Sequence, residues 1–188
     1  PDVLGERHWI HSSILCFPEL ANYALANKPI TKFLASWTFH SSVKELLEQY
    51  AQSLNFDISI FSNINTLFIL PHDSFMQSDE FDVTAYRTQI INNSKQTEKI
   101  VGIKYHPRQI GDPLKLKQTN IIEIPRQLPL EIFLPLLNVQ TVFGDLSSAL
   151  LSMKWANNDS KVIAKKYNDS PAVNHLMDMF EKVGIEIL

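Results

Sequence analysis

A single cysteine and only five glycines in 188 residues set the first limits on what this chain does. Cys16 has no partner for an internal disulfide and lies in an apolar run, so a buried free thiol and a reducing compartment are expected. Five glycines do not supply a glycine-rich cradle for phosphates. Neither the dinucleotide-binding fingerprint nor the P-loop occurs, and no Cys/His run has metal-ligand spacing. His8, His11, His40 and His175 stand without partners at metal-binding intervals. No apolar stretch reaches the ~18 residues of a membrane-spanning helix. The start, Pro1 to Leu4, has neither the basic region nor the apolar run of a signal peptide. It reads as mid-protein sequence, so a fragment of a longer polypeptide is expected. The formal charge of −3 comes from interspersed residues of both signs. No basic face of the kind that neutralises many phosphates is implied, and nucleic acid is not an expected partner.

What the chain does have is apolar material. With 45% hydrophobic residues it can build one full core. Residues 8–54 are dense in Leu, Ala, Glu, Lys and aromatics, and Val43, Leu46, Leu47, Tyr50 and Leu54 recur at helical spacing. This part is expected to be helical, with Ser42 and Glu45 forming a capping box. Trp9, Phe17, Tyr23, Phe33, Trp37 and Phe39 are expected to pack it. From residue 57 the texture changes to short β-rich runs alternating with helical stretches. Strands are expected at 66–70, 100–104, 120–124, 141–143 and 161–164. Helices are expected at 83–92, 129–137, 147–155 and 172–183. Strands that are almost continuously apolar and alternate with helices imply a parallel sheet covered on both faces, a Rossmann-like α/β domain. The expected organisation is a helical segment over 1–56 and a Rossmann-like domain over 57–188.

In such a sheet ligands sit beyond the carboxyl ends of the strands. Those ends carry Pro71-His72-Asp73, Lys104-Tyr105-His106-Pro107-Arg108, Pro125-Arg126 and Gly144-Asp145-Leu146-Ser147-Ser148. Lys104 and His106 are two apart and leave an extended chain on one side, with Arg108 just past the turn that Pro107 favours. Ser147 and Ser148 open a helix, where free N–H groups and the positive end of the dipole attract anions. Together these groups would hold a phosphate. Each also has a plain structural reading, a His-Pro turn and a serine cap. His72 and Asp73 read equally well as a turn, and Arg126 as an ordinary loop arginine.

The run Ile103 to Arg108, Ile124-Pro125 followed by a helix with Glu131, and Gly144 to Ser148 resemble, in that order, the donor-binding half of bacterial sialyltransferases and polysialyltransferases. These are GT-B glycosyltransferases with a K-x-H-P motif, an I-P segment and a Ser-Ser or Ser-Thr pair. The resemblance covers about residues 66–155. It implies that His106 contacts the phosphate of a CMP-activated sugar and assists its departure. Lys104 would lie at the cytosine, Glu131 would accept from the ribose hydroxyls, and Ser147 and Ser148 would bind the phosphate, with Pro107 and Arg108 completing the first motif. It further implies an inverting transfer of sialic acid, or a related nonulosonic acid, to a surface glycan of capsule or lipooligosaccharide, without a metal cofactor. The location implied is cytoplasmic, with room for peripheral association at the inner face of the membrane. A CMP-Kdo capsule transferase shares these motifs and is the nearest alternative; a non-catalytic nucleotide-binding module is another. One departure stands out. The family's acidic base lies in a D/E-D-G motif, and this chain contains no Asp-Gly dipeptide. The acceptor would then be held through a further domain. Asp2, Glu6, Asp73 and Asp82 are the carboxylates that remain to be weighed as a base, and solvation explains each of them.

Overall fold

A computed structural model of the chain describes residues 5–78, 81–96, 100–116, 118–157, 159–166, 168 and 170–188. Its centre is a six-stranded sheet of β3 (Ile64–Ile69), β4 (Ile100–Lys104), β5 (Ile121–Ile124), β6 (Thr141–Asp145), β7 (Lys161–Lys165) and β8 (Glu186–Ile187), in the order β5-β4-β3-β6-β7-β8. Every pairing is parallel. This is the Rossmann-like α/β arrangement expected. The order steps outward from β3 in one direction and then restarts from β6 in the other. The sheet therefore reverses between β3 and β6, the place where doubly wound folds leave a crevice.

The alternation of side chains builds the two faces. On β3, Leu67 and Ile69 join one core cluster while Phe68 joins the other, as the two-residue period of a strand requires. The first cluster lies under α2 (Ser41–Ser53), α5 (Leu130–Phe133), α6 (Ser148–Ala156) and α7 (Pro171–Lys182). The second lies under α3 (Asp73–Met76) and α4 (Val83–Gln96). All six residues of β3 are buried, so the middle strand needs no polar face. Phe68 stacks on Phe143 of the neighbouring strand, ring centroids 4.9 Å apart. Both α2 and α7 end in the same way: Asn55 and Gly184 take positive φ, and the next N–H reaches back to Ala51 and Phe180. That backbone turn satisfies the last carbonyls of each helix.

The amino-terminal part departs from the helical expectation. It contains β1 (Ser13–Leu15) and β2 (Ile30–Lys32), paired in parallel, and a one-turn helix α1 (Tyr23–Ala26), before α2 begins. Pro18 and Pro29 interrupt the run, because proline lacks the N–H that a helix interior needs, and the piece between them holds no more than one helical turn. The expected aromatic packing is partial. Phe33 stacks on Trp155 at 5.0 Å and accepts the indole N–H at its carbonyl (2.8 Å), whereas Trp9, Tyr23 and Phe39 are exposed; elements this short shelter few large rings. The side chain of Trp37 lies outside the described residues. The capping box is replaced as well. The helix starts two residues earlier than expected, and His40, through Nδ1, accepts from the N–H of Ser42. Pro135 likewise splits the helix expected at 129–137, which becomes α5 and a 3-10 turn over Leu134–Leu136. Among the described residues no helix is long and apolar enough to cross a membrane.

Candidate functional site

At the reversal between β3 and β6 lies a cavity of about 540 Å³. Lys104, His106 and Pro107 enter it from the end of β4, Glu131 from the first turn of α5, and Ser147 and Ser148 from the start of α6. Six of the seven residues singled out in the sequence thus line one space. Arg108 does not; it is exposed, and its N–H donates to Nδ1 of His106 (3.2 Å). Among the carboxylates weighed as a base, Glu6 accepts from the hydroxyl of Tyr23 and Asp82 accepts from the N–H of Ala85 at the start of α4 (2.8 Å). Asp2 and the side chain of Asp73 lie outside the described residues.

Lys104 is 4% exposed. Its Nζ donates to the carbonyl of Arg126 (2.9 Å) and to that of Tyr105 (3.3 Å), which leaves one of its three N–H groups for a ligand. Burial lowers its pKa to about 8, against the partial support of Glu123 and Glu131. His106 is half-buried, and burial, then the adjacent His72, then the charges of Arg108 and Lys104 push its ring below the usual histidine range. With Nδ1 occupied as an acceptor, the neutral ring carries its proton on Nε2 and remains a donor.

Arg126 holds this strand end in place. Its Nε pairs with Glu123 (2.7 Å), its guanidinium donates to the carbonyl of Gln109 (2.7 Å), and it lies over the Tyr105 ring at 4.6 Å. The Tyr105 hydroxyl donates to Asp112 (2.7 Å). Burial and this carboxylate push the phenol well above its ordinary range.

Ser147 occupies the N-cap position of α6 with extended backbone, but its side chain makes no capping bond. The hydroxyl is buried and has no hydrogen-bond partner of regular geometry. Just before it, burial raises the Asp145 carboxyl above the ordinary carboxylate range, against a smaller downward pull from the neighbouring Ser147 hydroxyl. Asp145 and His72 also line the cavity. Neither was singled out as a site residue. The signal was present for both, since each follows an apolar strand, but only the strand order brings the ends of β3 and β6 together. Among the described residues no group of three or more His, Cys, Asp or Glu gathers as a metal site.

Residues 64–166, more than half of the chain, match the alpha-2,8-polysialyltransferase (POLYST) family. The chain belongs to that family. The match runs from the first residue of β3 to just past β7 and contains every residue that lines the cavity. No curated protein matches the chain. As a polysialyltransferase-family chain it is of the sialyltransferase type of glycosyltransferase, whose substrates are a nucleotide-sugar donor and a glycan acceptor.

Proposed function

We propose that this chain is the donor-binding part of an inverting sialyltransferase that takes sialic acid from its CMP-activated form and passes it to a bacterial surface glycan. The observation that carries the reading is the Ser147 hydroxyl. A serine at a helix N-cap ordinarily bonds to the helix; this one is buried at the cavity and leaves its capping bond unmade. A phosphate placed there meets that hydroxyl, the Ser148 hydroxyl and the free N–H groups of α6. His106 offers Nε2–H to the same phosphate, Lys104 its remaining N–H to the cytosine, and Glu131 its carboxylate to the ribose hydroxyls.

In the transfer, the bond between the anomeric carbon and the phosphate oxygen breaks, and its electron pair stays on that oxygen. The acceptor oxygen bonds to the opposite face of the carbon, and its proton passes to a general base. Charge grows on the phosphate as the bond breaks, so fixed donors aimed there hold the transition state more tightly than the ground state. The cationic and neutral donors of the cavity suit one phosphate, and the reading assigns no metal. The family match favours sialic acid over Kdo as the sugar, and competition between the two CMP-sugars tests that choice directly.

The experiment is calorimetric titration of CMP and of cytidine into the wild-type chain and into Ser147→Ala/Ser148→Ala. Two donors to a charged phosphate are worth ~1.5–3 kcal/mol each before non-additivity. CMP is expected to weaken at least about tenfold while cytidine binding is unchanged. Equal loss for both ligands, or loss for neither, overturns the phosphate assignment. The thermal midpoint is expected to move little, because the missing capping bond leaves less than the usual ~1 kcal/mol to lose.

A further inference from the structure

His72 follows β3 at the reversal of the sheet and lines the same cavity as His106. The two rings meet edge to face, centroids 4.8 Å apart and planes at 81°. They come from different strands, β3 and β4, and both face the space next to Ser147. We propose that His72 and His106 form one two-imidazole site for a phosphate monoester dianion, which takes up a proton when that dianion enters. This rests on the phosphate reading above and extends it to a residue with no role there.

The chemistry of the ligand motivates the pairing. In the sugar nucleotide the phosphate is a diester with one charge. In released CMP it is a monoester, whose second ionisation lies near pH 6, so at neutral pH it carries two. A site that gains a positive charge as the phosphate gains a negative one distinguishes the late, bond-broken state from the donor. Two imidazoles in contact are suited to this. In the empty cavity, burial, then the neighbouring His72 ring, then the cations of Arg108 and Lys104 oppose protonation of His106. A dianion beside them reverses the balance, because attraction to two charges at contact distance outweighs repulsion from the flanking cations. The other charged groups at the cavity are Glu131 and Asp145. Glu131 is exposed at the α5 side, and burial raises the Asp145 carboxyl above the ordinary carboxylate range, against the smaller opposing pull of Ser147. The proton belongs to the pair rather than to either ring, as in any closely coupled pair of sites.

The test measures proton uptake on binding by titration calorimetry at pH 7.5 in buffers of different ionisation enthalpy. At that pH free CMP is already a dianion. The ligands are CMP and its phosphate methyl ester, a diester with one charge; any contribution from Lys104 appears with both and cancels in the difference. Wild type is expected to take up more protons with CMP than with the ester. The excess should approach one, and CMP affinity should then fall up to about tenfold more per pH unit than ester affinity. In His72→Gln, which keeps a polar side chain, and His72→Phe, which keeps a ring against His106, the excess is expected to vanish while both ligands still bind. An excess that persists in a folded His72 variant, or one that is absent in wild type while CMP still outbinds cytidine, overturns the pair and leaves the phosphate reading standing. CMP and cytidine binding equally, or neither binding, overturns both.

Discussion

The Nζ of Lys104 lies 2.9 Å from the carbonyl oxygen of Arg126, so the buried ammonium of one strand end is held by the backbone of the next. The two are also linked through the Arg126 side chain, which latches the loop that follows Lys104. Much of the testable behaviour of the site follows from this contact between the ends of β4 and β5.

Lys104 makes stability depend on alkaline pH. Its pKa is about 8 in the folded chain against the ordinary value of about 10.4 in the unfolded one. Between these values the unfolded chain holds more protons on this residue. The cost of burying the ammonium is therefore fully present below pH 8 and is relieved as pH rises toward 10.4. Tyr105 works in the opposite sense above about pH 10, where the unfolded phenol ionises and the folded one does not, so the window to use is pH 7 to 9.5. Denaturant melts across it are expected to show a slope of stability with pH in wild type that is missing in Lys104→Met. Parallel slopes in the two proteins would show that the ammonium is not held as described. In a transfer assay the same substitution is expected to raise the KM for the sugar nucleotide with little change in kcat.

Arg126→Lys is expected to be far from conservative. A lysine has no planar fork with which to meet Glu123 and the Gln109 carbonyl together while lying over Tyr105. The expected loss is ~1–2 kcal/mol of stability, together with weaker CMP binding, because the loop that carries His106 is no longer held. Glu123→Gln, which removes one partner at the surface, should cost less in both measurements. Melting curves and CMP titrations that leave Arg126→Lys indistinguishable from wild type would mean that the latch is ornamental.

Gly144 sits where β3 and β6 come closest to the start of α6. Its backbone has no unusual φ; what it lacks is room. A Cβ there would stand 3.0 Å from Leu150 Cδ2 and 3.1 Å from the carbonyl oxygen of Ile69. The Ile69 oxygen belongs to the buried middle strand, so β6 and the Leu150 side chain that anchors α6 have to give instead. Gly144→Ala is expected to cost ~1–3 kcal/mol, as overpacking does. It should also weaken CMP binding, since α6 carries both serines. A variant that melts with wild type and binds CMP normally would show that α6 is free to shift.

Much of the site was legible along the chain because its parts are local. The almost continuous apolar run from Ile100 to Ile103 identified a buried strand, and a two-residue period put Lys104 and His106 on one side of it without any knowledge of neighbours. The apolar runs at 66–70 and 141–143 were visible as strands for the same reason, and the structure sets them at Ile64–Ile69 and Thr141–Asp145. The expected helix over residues 8–39 failed because composition was weighed above Pro18 and Pro29, whose effect on the backbone is also local.

What the amino-acid sequence determined by itself is therefore five of the six sheet strands and most of the helices after residue 57, with the residues at their ends; the short β8 and α3 were not among them. Tertiary structure decided which ends meet. The hydrogen bonds that place β6 beside β3 join residues more than 70 positions apart, and no periodicity within either strand encodes that choice. It depends on how all the strands and covering helices bury their faces at once. The encounter of His72 with His106, the entry of Asp145 into the cavity and the unmade capping bond of Ser147 all come from that packing. A serine before a helix reads the same whether it caps the helix or faces a ligand, and only the direction of one side chain within the folded chain separates the two.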